Sequence, residues 1–285
     1  MRAPADDPLV GEFMDNLARI NAVADAAPGF VWRLQTELGN ATDIQAFPDP
    51  RQLVNMSVWE SVESFKQYVY RSEHVKFFRR RAEWFEADAK RVALWWVDAG
   101  TIPDLDEAIR RVEFLERHGA SPYAFGVGNP SKSLVIETTR LEEQQTSDLV
   151  SRSHAELAAL AVEPGENHFG LDPGDVVGSN GVMIRARYDG RPVGCGAVRR
   201  IEPTVGEIKR MFVDPSARGL KIGAAILDQL ERHATLLGIT ELKLETGPRQ
   251  VEATALYERA GFERCDLWGD YRATPATSRC YRKSL

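Results

Sequence analysis

The sequence has few cysteines and no long apolar run. Its three cysteines, Cys195, Cys265 and Cys280, stand far apart among 285 residues and form no Cys-x-x-Cys pair. This spacing argues against a disulfide framework and against a zinc site, and it favours a reducing cytoplasm. No stretch approaches the roughly 18 apolar residues that a membrane span needs, and the first ten residues lack the apolar core of a signal peptide. We therefore expect a cytoplasmic protein without a membrane span.

Basic charge is also scarce. The formal net charge is −6 at pH 7, whereas a nucleic-acid-binding protein is expected to show a basic excess. An acidic surface weakly favours a cationic partner such as an amine. His74 and His118 have no partners at metal-ligand spacing. We therefore predict neither a nucleic-acid partner nor a bound metal.

The length of the chain predicts two domains, because a single hydrophobic core seldom keeps growing to this size. The stretch GVGNPSKS at residues 126–133 has the glycine, proline and serine content of a linker. We therefore place one α+β domain at residues 1–125 and a second at residues 134–285.

Periodicity and turn residues predict the elements of the first domain. Apolar residues recur at helical spacing in 8–25, before Pro28-Gly29, and alternate with polar ones in several short segments. The predicted order is helix 8–25, strands 30–35 and 53–59, helices 61–70 and 74–88, strand 91–98 and helix 104–118.

The same signals predict a new set of elements after the linker. Asp189-Gly190 is a strong signal for a hairpin turn between two strands. The predicted order is strand 134–138, helix 145–162, polar loop 165–175, strands 182–188, 193–199 and 207–213, helix 220–237, strand 240–245, helix 251–260, and strands from 262 to the final segment 279–283.

The stretch at residues 206–234 combines a strand, a loop and a helix that together predict an anion site. Successive backbone N–H groups in such a loop point into one concavity, and the first helical turn adds unpaired N–H groups and the positive end of the helix dipole. Gly219 and Gly223 allow a phosphate to approach the backbone closely, while Arg218 and Lys221 add positive charge. These features suit a pyrophosphate.

This loop resembles motif A of the GNAT acetyltransferases, Arg/Gln-x-x-Gly-x-Gly/Ala, although Lys221 replaces the first motif glycine. The segment LYERAGF at residues 256–262 resembles the LY-x-x-x-GF segment of the same family. The two motifs occur in the family's order, with a predicted strand between them. The resemblance covers residues 134–285 and implies a GNAT fold, in which helices flank a mixed central sheet.

The resemblance also implies a cosubstrate and a place for it. In this superfamily acetyl-CoA lies in a V between two splayed parallel strands, here 207–213 and 240–245. Backbone groups of the first strand would hold the pantetheine arm, the loop would hold the pyrophosphate, and Gln250 stands where the family often has asparagine. The residues expected to bind acetyl-CoA are Met211, Phe212, Val213, Arg218, Gly219, Leu220, Lys221, Ile222, Gly223, Ala224 and Gln250.

Two catalytic residues follow from the resemblance. Glu207 matches the general-base glutamate of several members; alternatively, it is an exposed carboxylate that pairs with Lys209 or Arg199. Tyr257 matches the tyrosine that often protonates the leaving thiolate, or it is a packed helix aromatic. In the acidic loop 165–175, His168 and Phe169 are the expected substrate contacts. Alternatively, this loop is a solvated surface loop with no binding role.

The first domain resembles an uncharacterised bacterial domain family that looks like dimeric ferredoxin-like α/β barrels, which include the antibiotic-biosynthesis monooxygenases. The match rests on Val58-Trp59-Glu60-Ser61, followed by a helix and then His74. Such domains begin with a strand, but this chain begins directly before a helix, which would leave a sheet edge unpaired. The resemblance favours a dimerising or ligand-sensing domain over a cofactor-free oxygenase.

The leading hypothesis is an N-acetyltransferase that passes acetyl from acetyl-CoA to a primary amine of a small molecule or peptide by direct attack. One alternative is an acyl-CoA-binding sensor with a dimerising first domain, which the Lys221 substitution favours. Affinity would fall if Lys221 crowded the pyrophosphate, and it would hold or rise if the side chain pointed outward and added a charge contact. Another is a bifunctional fusion with an oxygenase-like domain.

Overall fold

The computed structural model describes residues 1–86, 92–128, 131–160 and 170–285. The chain divides into two compact units, Met1–Ala120 with Ala124–Pro130, and Ser121–Tyr123 with Ser131–Leu285. This division differs from the predicted domain limits in assigning 121–123 to the second unit. None of the helices in the described ranges is long and apolar enough to cross a membrane.

The described part of the first unit contains a small antiparallel sheet and five α-helices. Its elements are α1 (Pro8–Asp15), α2 (Leu17–Asp25), β1 (Phe30–Arg33), β2 (Ser57–Trp59), α3 (Val62–Arg71), α4 (His74–Arg80) and α5 (Leu105–His118). Strands β1 and β2 pair with each other. Aromatic side chains dominate the core: Trp84 stacks on Phe77 with ring centroids 5.9 Å apart and lies 5.8 Å from Phe13.

Helix boundaries in this unit follow local hydrogen bonds. The predicted helix 8–25 is divided into α1 and α2 at Asn16, whose side-chain amide donates to the Glu12 carbonyl at 2.8 Å. Such side-chain bonds to the backbone compete with helix continuation. The predicted helix 104–118 is confirmed: Asp104 accepts a bond from the Glu107 N–H at 2.6 Å, and Gly119 ends the helix at φ 70°.

Two predicted strands of the first unit are wrong in extent. Pairing covers only Ser57–Trp59 of the predicted strand 53–59, because Leu53 instead packs against the core around Trp84. Within the described residues 92–98, pairing consists of one bridge between Leu94 and Phe125. The ferredoxin-like barrel half predicted for residues 1–125 is therefore not confirmed; the described residues there form a two-stranded sheet and helices.

The second unit is built on a seven-stranded mixed sheet in the order β3-β4-β5-β6-β7-β9-β8. The elements are β3 (Leu134–Thr139), α6 (Gln144–Leu160), β4 (Gly181–Tyr188), β5 (Arg191–Glu202), β6 (Val205–Val213), α7 (Ile222–Leu236), β7 (Glu241–Thr246), α8 (Val251–Arg259), β8 (Glu263–Cys265) and β9 (Arg279–Ser284). All pairings are antiparallel except that of β6 with β7. This mixed sheet flanked by helices confirms the predicted fold class of the second domain.

The hairpin between β4 and β5 forms at the predicted turn. Asp189 and Gly190 both have positive φ, 53° and 77°, as a tight turn between right-twisted strands requires. The pairing of β4 with β5 continues along eight residues of β4, from Gly181 to Tyr188.

The two faces of β5 pack against different helices. Cys195 and Ala197 join a buried cluster with Leu149 of α6. The alternate position Gly196 faces α7, where an added Cβ would lie 2.9 Å from both Ile226 and Leu230. The absence of a side chain at this position therefore lets α7 lie directly on the sheet.

We predict that Gly196→Ala lowers the free energy of unfolding by about 1–3 kcal/mol, because the new methyl group overpacks this contact. Gly174→Ala is a matched control, since an added Cβ there meets nothing within 4 Å and should change stability by less than about 0.5 kcal/mol. Urea denaturation of both variants measures the difference. Equal stability of the two variants would show that α7 can move away from the sheet at little cost.

Candidate active site

Strands β6 and β7 pair over only part of their length. The parallel ladder starts at Val205 opposite Glu241 and ends at Ile208 opposite Leu244. Beyond this point β6 stays paired with β5 as far as Val213, while β7 stays paired with β9. The two strands therefore open a wedge between them, as predicted for strands 207–213 and 240–245.

A bulge in β6 accompanies the opening. Cys195 lies opposite Phe212 and Ala197 lies opposite Lys209, so two residues of β6 face one of β5. Arg210, within the bulge, has φ 56°, which is uncommon for a residue with a side chain. Bulges of this kind bend a strand and redirect side chains beside functional sites.

The loop after β6 leads into the N-terminus of α7. A 3-10 turn, Pro215–Ala217, is followed by Gly219 at φ 80°. Among the described residues, no acceptor bonds the backbone N–H groups of Ile222, Gly223 and Ala224, and the helical ladder begins with the Ala225 N–H bonded to the Lys221 carbonyl at 3.1 Å. A helix N-terminus with such N–H groups attracts phosphate.

Lys221 occupies the motif position that is usually glycine. Its φ of 61° and ψ of 19° are left-handed, and its side chain is exposed. The backbone thus has the conformation that a glycine adopts without strain, at a cost of about 1–2 kcal/mol for a residue with a Cβ. Gly223 serves packing: a Cβ there would lie 3.3 Å from Leu256 of α8.

Arg218 ties the loop to neighbouring elements. Its Nη2 atom lies 2.6 Å and 2.7 Å from the two carboxylate oxygens of Glu156 in α6, and its Nε atom donates to the Val213 carbonyl at 3.0 Å. In this arrangement the guanidinium is already paired, so Arg218 fixes the loop's position in addition to supplying charge.

Glu207 is fully buried in a network of polar side chains. Its Oε2 atom lies 2.6 Å from Nε of Arg199, and its Oε1 atom accepts a hydrogen bond from the Tyr271 hydroxyl at 2.5 Å. Nζ of Lys209 lies 3.5 Å from the same Oε1 atom, and Arg199 reaches Asp175 at 3.4 Å. Glu207 does pair with Arg199 and Lys209, but as a buried carboxylate rather than an exposed one.

Burial and charge set the proton affinities in this network. Burial, then the adjacent Glu207 carboxylate, raises the pKa of Tyr271. Burial lowers the pKa of Lys209, although Glu207 opposes this effect. The Tyr271 hydroxyl therefore keeps its proton and donates a hydrogen bond to the Glu207 carboxylate.

Glu245 was not identified from the sequence. It is the first residue of β7 beyond the ladder with β6, and burial raises its pKa against the lowering effects of Ser278 and Lys209. In sequence it alternates with buried Leu242 and Leu244 just as Glu241 does. Only the tertiary structure distinguishes the two residues: Glu241 lies within the ladder with β6, whereas Glu245 lies at the opening of the wedge.

Tyr257 lies on α8, where burial and then the charge of Glu245 raise its pKa. Its side chain is buried, and its hydroxyl has no hydrogen-bond partner within the described ranges. Its ring also contacts Phe262 at 6.0 Å. Tyr257 thus combines packing with a protonated hydroxyl that points to no protein acceptor among these residues.

The other predicted site residues have different surroundings. Phe212 is buried in the cluster with Leu149, and Met211 faces α7 beside Gly196. Gln250 accepts a bond from the Thr246 hydroxyl at 2.7 Å, which links the end of β7 to the start of α8. His168 and Phe169 lie outside the described residues. In the described ranges, no group of three or more metal-ligating side chains occurs.

Two family models match the chain. The Acetyltransferase (GNAT) family matches residues 167–262, and the domain of unknown function DUF3291 matches residues 1–140. An IAA acetyltransferase of Azospirillum brasilense is 39% identical over 113 residues, which cover 39% of this chain and 74% of that protein. The fold and site define an acyltransferase domain, and the chain belongs to the GNAT acetyltransferase family.

Further relatives match the same part of the chain. An uncharacterized N-acetyltransferase of Schizosaccharomyces pombe is 34% identical over 86 residues, which cover 30% of this chain and 53% of that protein; the chain thus spans about half its length. The crystal structure of an acetyltransferase from Streptococcus agalactiae is 23% identical, with a TM-score of 0.43, and the match covers 53% of this chain and 98% of that one.

The left-handed position of Lys221 can be tested with two variants. Lys221→Gly and Lys221→Ala both remove the ammonium group, so affinity for acetyl-CoA should fall about two- to fivefold in each, the value of an exposed ion pair. The glycine variant should be about 1 kcal/mol more stable than the alanine variant, because only alanine keeps the strained Cβ. Calorimetry and urea denaturation measure the two effects. A tenfold difference in affinity between the variants would contradict this separation of charge from backbone conformation.

Proposed function

We propose that the second unit transfers an acetyl group from acetyl-CoA to a primary amine of a small molecule or peptide. The observation that carries this proposal is the wedge between β6 and β7, which opens beside the uncapped N-terminus of α7. An extended thioester arm with a pyrophosphate at its far end fits this combination of an open strand edge and an anion site.

The residues expected to hold acetyl-CoA suit the group chemically. The loop from Arg218 to Ala224 presents backbone N–H groups and an exposed ammonium group to the pyrophosphate. The backbone of 211–213, on the β6 side of the wedge, would hold the pantetheine arm and the acetyl carbonyl. Gln250 would help to shape the β7 side of the wedge through its bond to Thr246.

Acetyl-CoA supplies an activated thioester, and the protein supplies position and proton transfer. The amine nitrogen bonds to the thioester carbonyl carbon as the bond from carbon to sulfur breaks. A base removes a proton from the amine, and an acid protonates the departing sulfur. Tyr257 is the proposed acid, because its raised pKa keeps the hydroxyl protonated at neutral pH.

Two carboxylates are candidates for the base. Glu207 was predicted from the sequence, but both of its oxygens already interact with Arg199 and Tyr271, and its side chain has no exposed surface. Glu245 is partly exposed at the opening of the wedge, and burial raises its pKa above that of an ordinary glutamate, which makes it a better proton acceptor. We favour Glu245 as the base and keep Glu207 as the second candidate.

The rival interpretation as an acyl-CoA sensor rested on the replacement of the motif glycine by Lys221, which would lower affinity if it crowded the pyrophosphate. Its left-handed backbone has the conformation expected of the motif glycine, and this supports the enzyme. Homodimerisation through the first unit and a cytoplasmic location remain predictions from the sequence.

The proposed activity is tested by binding and turnover together. Acetyl-CoA should bind in calorimetry and raise the melting temperature by mass action, and free CoA should appear when amines are added. Tyr257→Phe should lower turnover about tenfold or more without changing acetyl-CoA affinity, because it removes only the acid. Tyr281→Phe is the control, since it also removes a buried hydroxyl, one bonded to Glu258 at 3.4 Å. Lack of acetyl-CoA binding at millimolar concentration would overturn the proposal.

The two candidate bases differ in their expected pH dependence. A base must be deprotonated, so kcat/KM should fall as the pH decreases through the pKa of Glu245. This fall should occur at a higher pH than it would for an ordinary glutamate, whose pKa is about 4.3. Glu245→Gln should remove this acidic limb and most of the activity. Glu207→Gln should keep the limb while lowering the free energy of unfolding by about 1–3 kcal/mol, because Arg199 loses its closest partner. The opposite assignment of the two pH profiles would make Glu207 the base.

A further inference from the structure

Arg210 is held in an unusual backbone conformation next to the proposed site. It lies in the β6 bulge at φ 56°, where a residue with a side chain costs free energy that the surrounding structure must offset. The Cys195 thiol, on the neighbouring strand, contacts the Arg210 carbonyl at 3.4 Å. The bulge is thus held between paired residues, which fixes the backbone at Arg210.

Arg210 lies beyond Ile208, the last β6 residue paired with β7, and so borders the opening of the wedge. Gly196 marks the face of the sheet on which α7 packs against Met211 and β5. The charged groups Arg199 and Glu207 act on Arg210. His154 lies on α6, and its pKa is lowered by burial and then by the positive charge of Arg210.

The guanidinium of Arg210 is partly buried and has no carboxylate within 4.0 Å among the described residues. Glu207, the carboxylate that acts on it, already pairs with Arg199. Burial lowers the pKa of Arg210, as expected for a cation that has lost water without gaining an anion. Such a group favours a negatively charged ligand.

We infer that the acceptor amine also carries a carboxylate, which pairs with the guanidinium of Arg210. The acceptor class is therefore amino acids and related small amino-carboxylates, with the amine directed toward the opening of the wedge. A planar guanidinium binds a carboxylate through two parallel hydrogen bonds, so it fixes the orientation of the acceptor as well as its charge. This inference rests on the proposed acetyl transfer and adds the chemistry of the acceptor.

The test compares each amino acid with its carboxamide, which keeps the amine and removes the negative charge. The full-length protein should acetylate amino acids with a kcat/KM at least about tenfold above that of their amides, as expected for a paired carboxylate. Arg210→Gln should abolish this preference by lowering kcat/KM for the acids and changing it less than threefold, roughly, for the amides. Acetyl-CoA affinity, measured by calorimetry, should stay unchanged.

Two further variants keep the test decisive. Arg210→Lys keeps the charge but loses the two-point geometry, so it should retain part of the preference; it also serves if the glutamine variant does not fold. Arg264→Gln, at an exposed position of β8, removes an equal charge elsewhere and should leave the preference intact.

The possible failures are distinguishable. Release of CoA with acids and amides at equal rates, or an equal loss for both in Arg210→Gln, would overturn the carboxylate inference and leave the acetyl transfer standing. Absence of CoA release with every amine tested, despite acetyl-CoA binding, would overturn both.

Discussion

The parallel ladder between β6 and β7 ends at Ile208 and Leu244, and the arrangement of the site depends on that ending. Hydrogen bonds to β5 hold β6 on one side, and hydrogen bonds to β9 hold β7 on the other. The two strands can diverge because each keeps a partner. Backbone groups along the opening are then available to a ligand.

The neighbouring charges divide into two kinds. Glu207 is surrounded by donors, and both of its carboxylate oxygens are bonded, so removing it would take from Arg199 its closest partner. Glu245 has fewer compensating contacts and a raised pKa. The first carboxylate is therefore held by its partners, while burial gives the second a higher proton affinity than that of an ordinary glutamate. The same contrast separates Arg199, which is paired, from Arg210, which has no carboxylate partner in the described ranges.

Much of the second unit could be predicted because its signals are local. The turn at Asp189-Gly190, the alternation in β7 and the loop before α7 each depend on a few neighbouring residues. Tertiary contacts determine the features of the site that could not be predicted. Nothing in the spacing of Glu245 or Arg210 shows how much water each side chain loses, since burial depends on elements far apart in the sequence.

The first unit shows the same limit in its strands. Apolar alternation predicted strands at 53–59 and 91–98, but a strand also needs a partner at the right register. Leu53 contributes to a core without belonging to a ladder. Composition predicts that such residues are covered, whereas backbone pairing decides whether they form a sheet.

The left-handed backbone at Lys221 also determines which other side chains this position accepts. Asparagine and aspartate tolerate that conformation, whereas valine, isoleucine and threonine do not, because their branched Cβ collides with the backbone. A related chain can therefore lose the motif glycine and keep the loop. Variation at this position is governed by the shape of the main chain, and a pattern that demands glycine would miss loops of the same geometry.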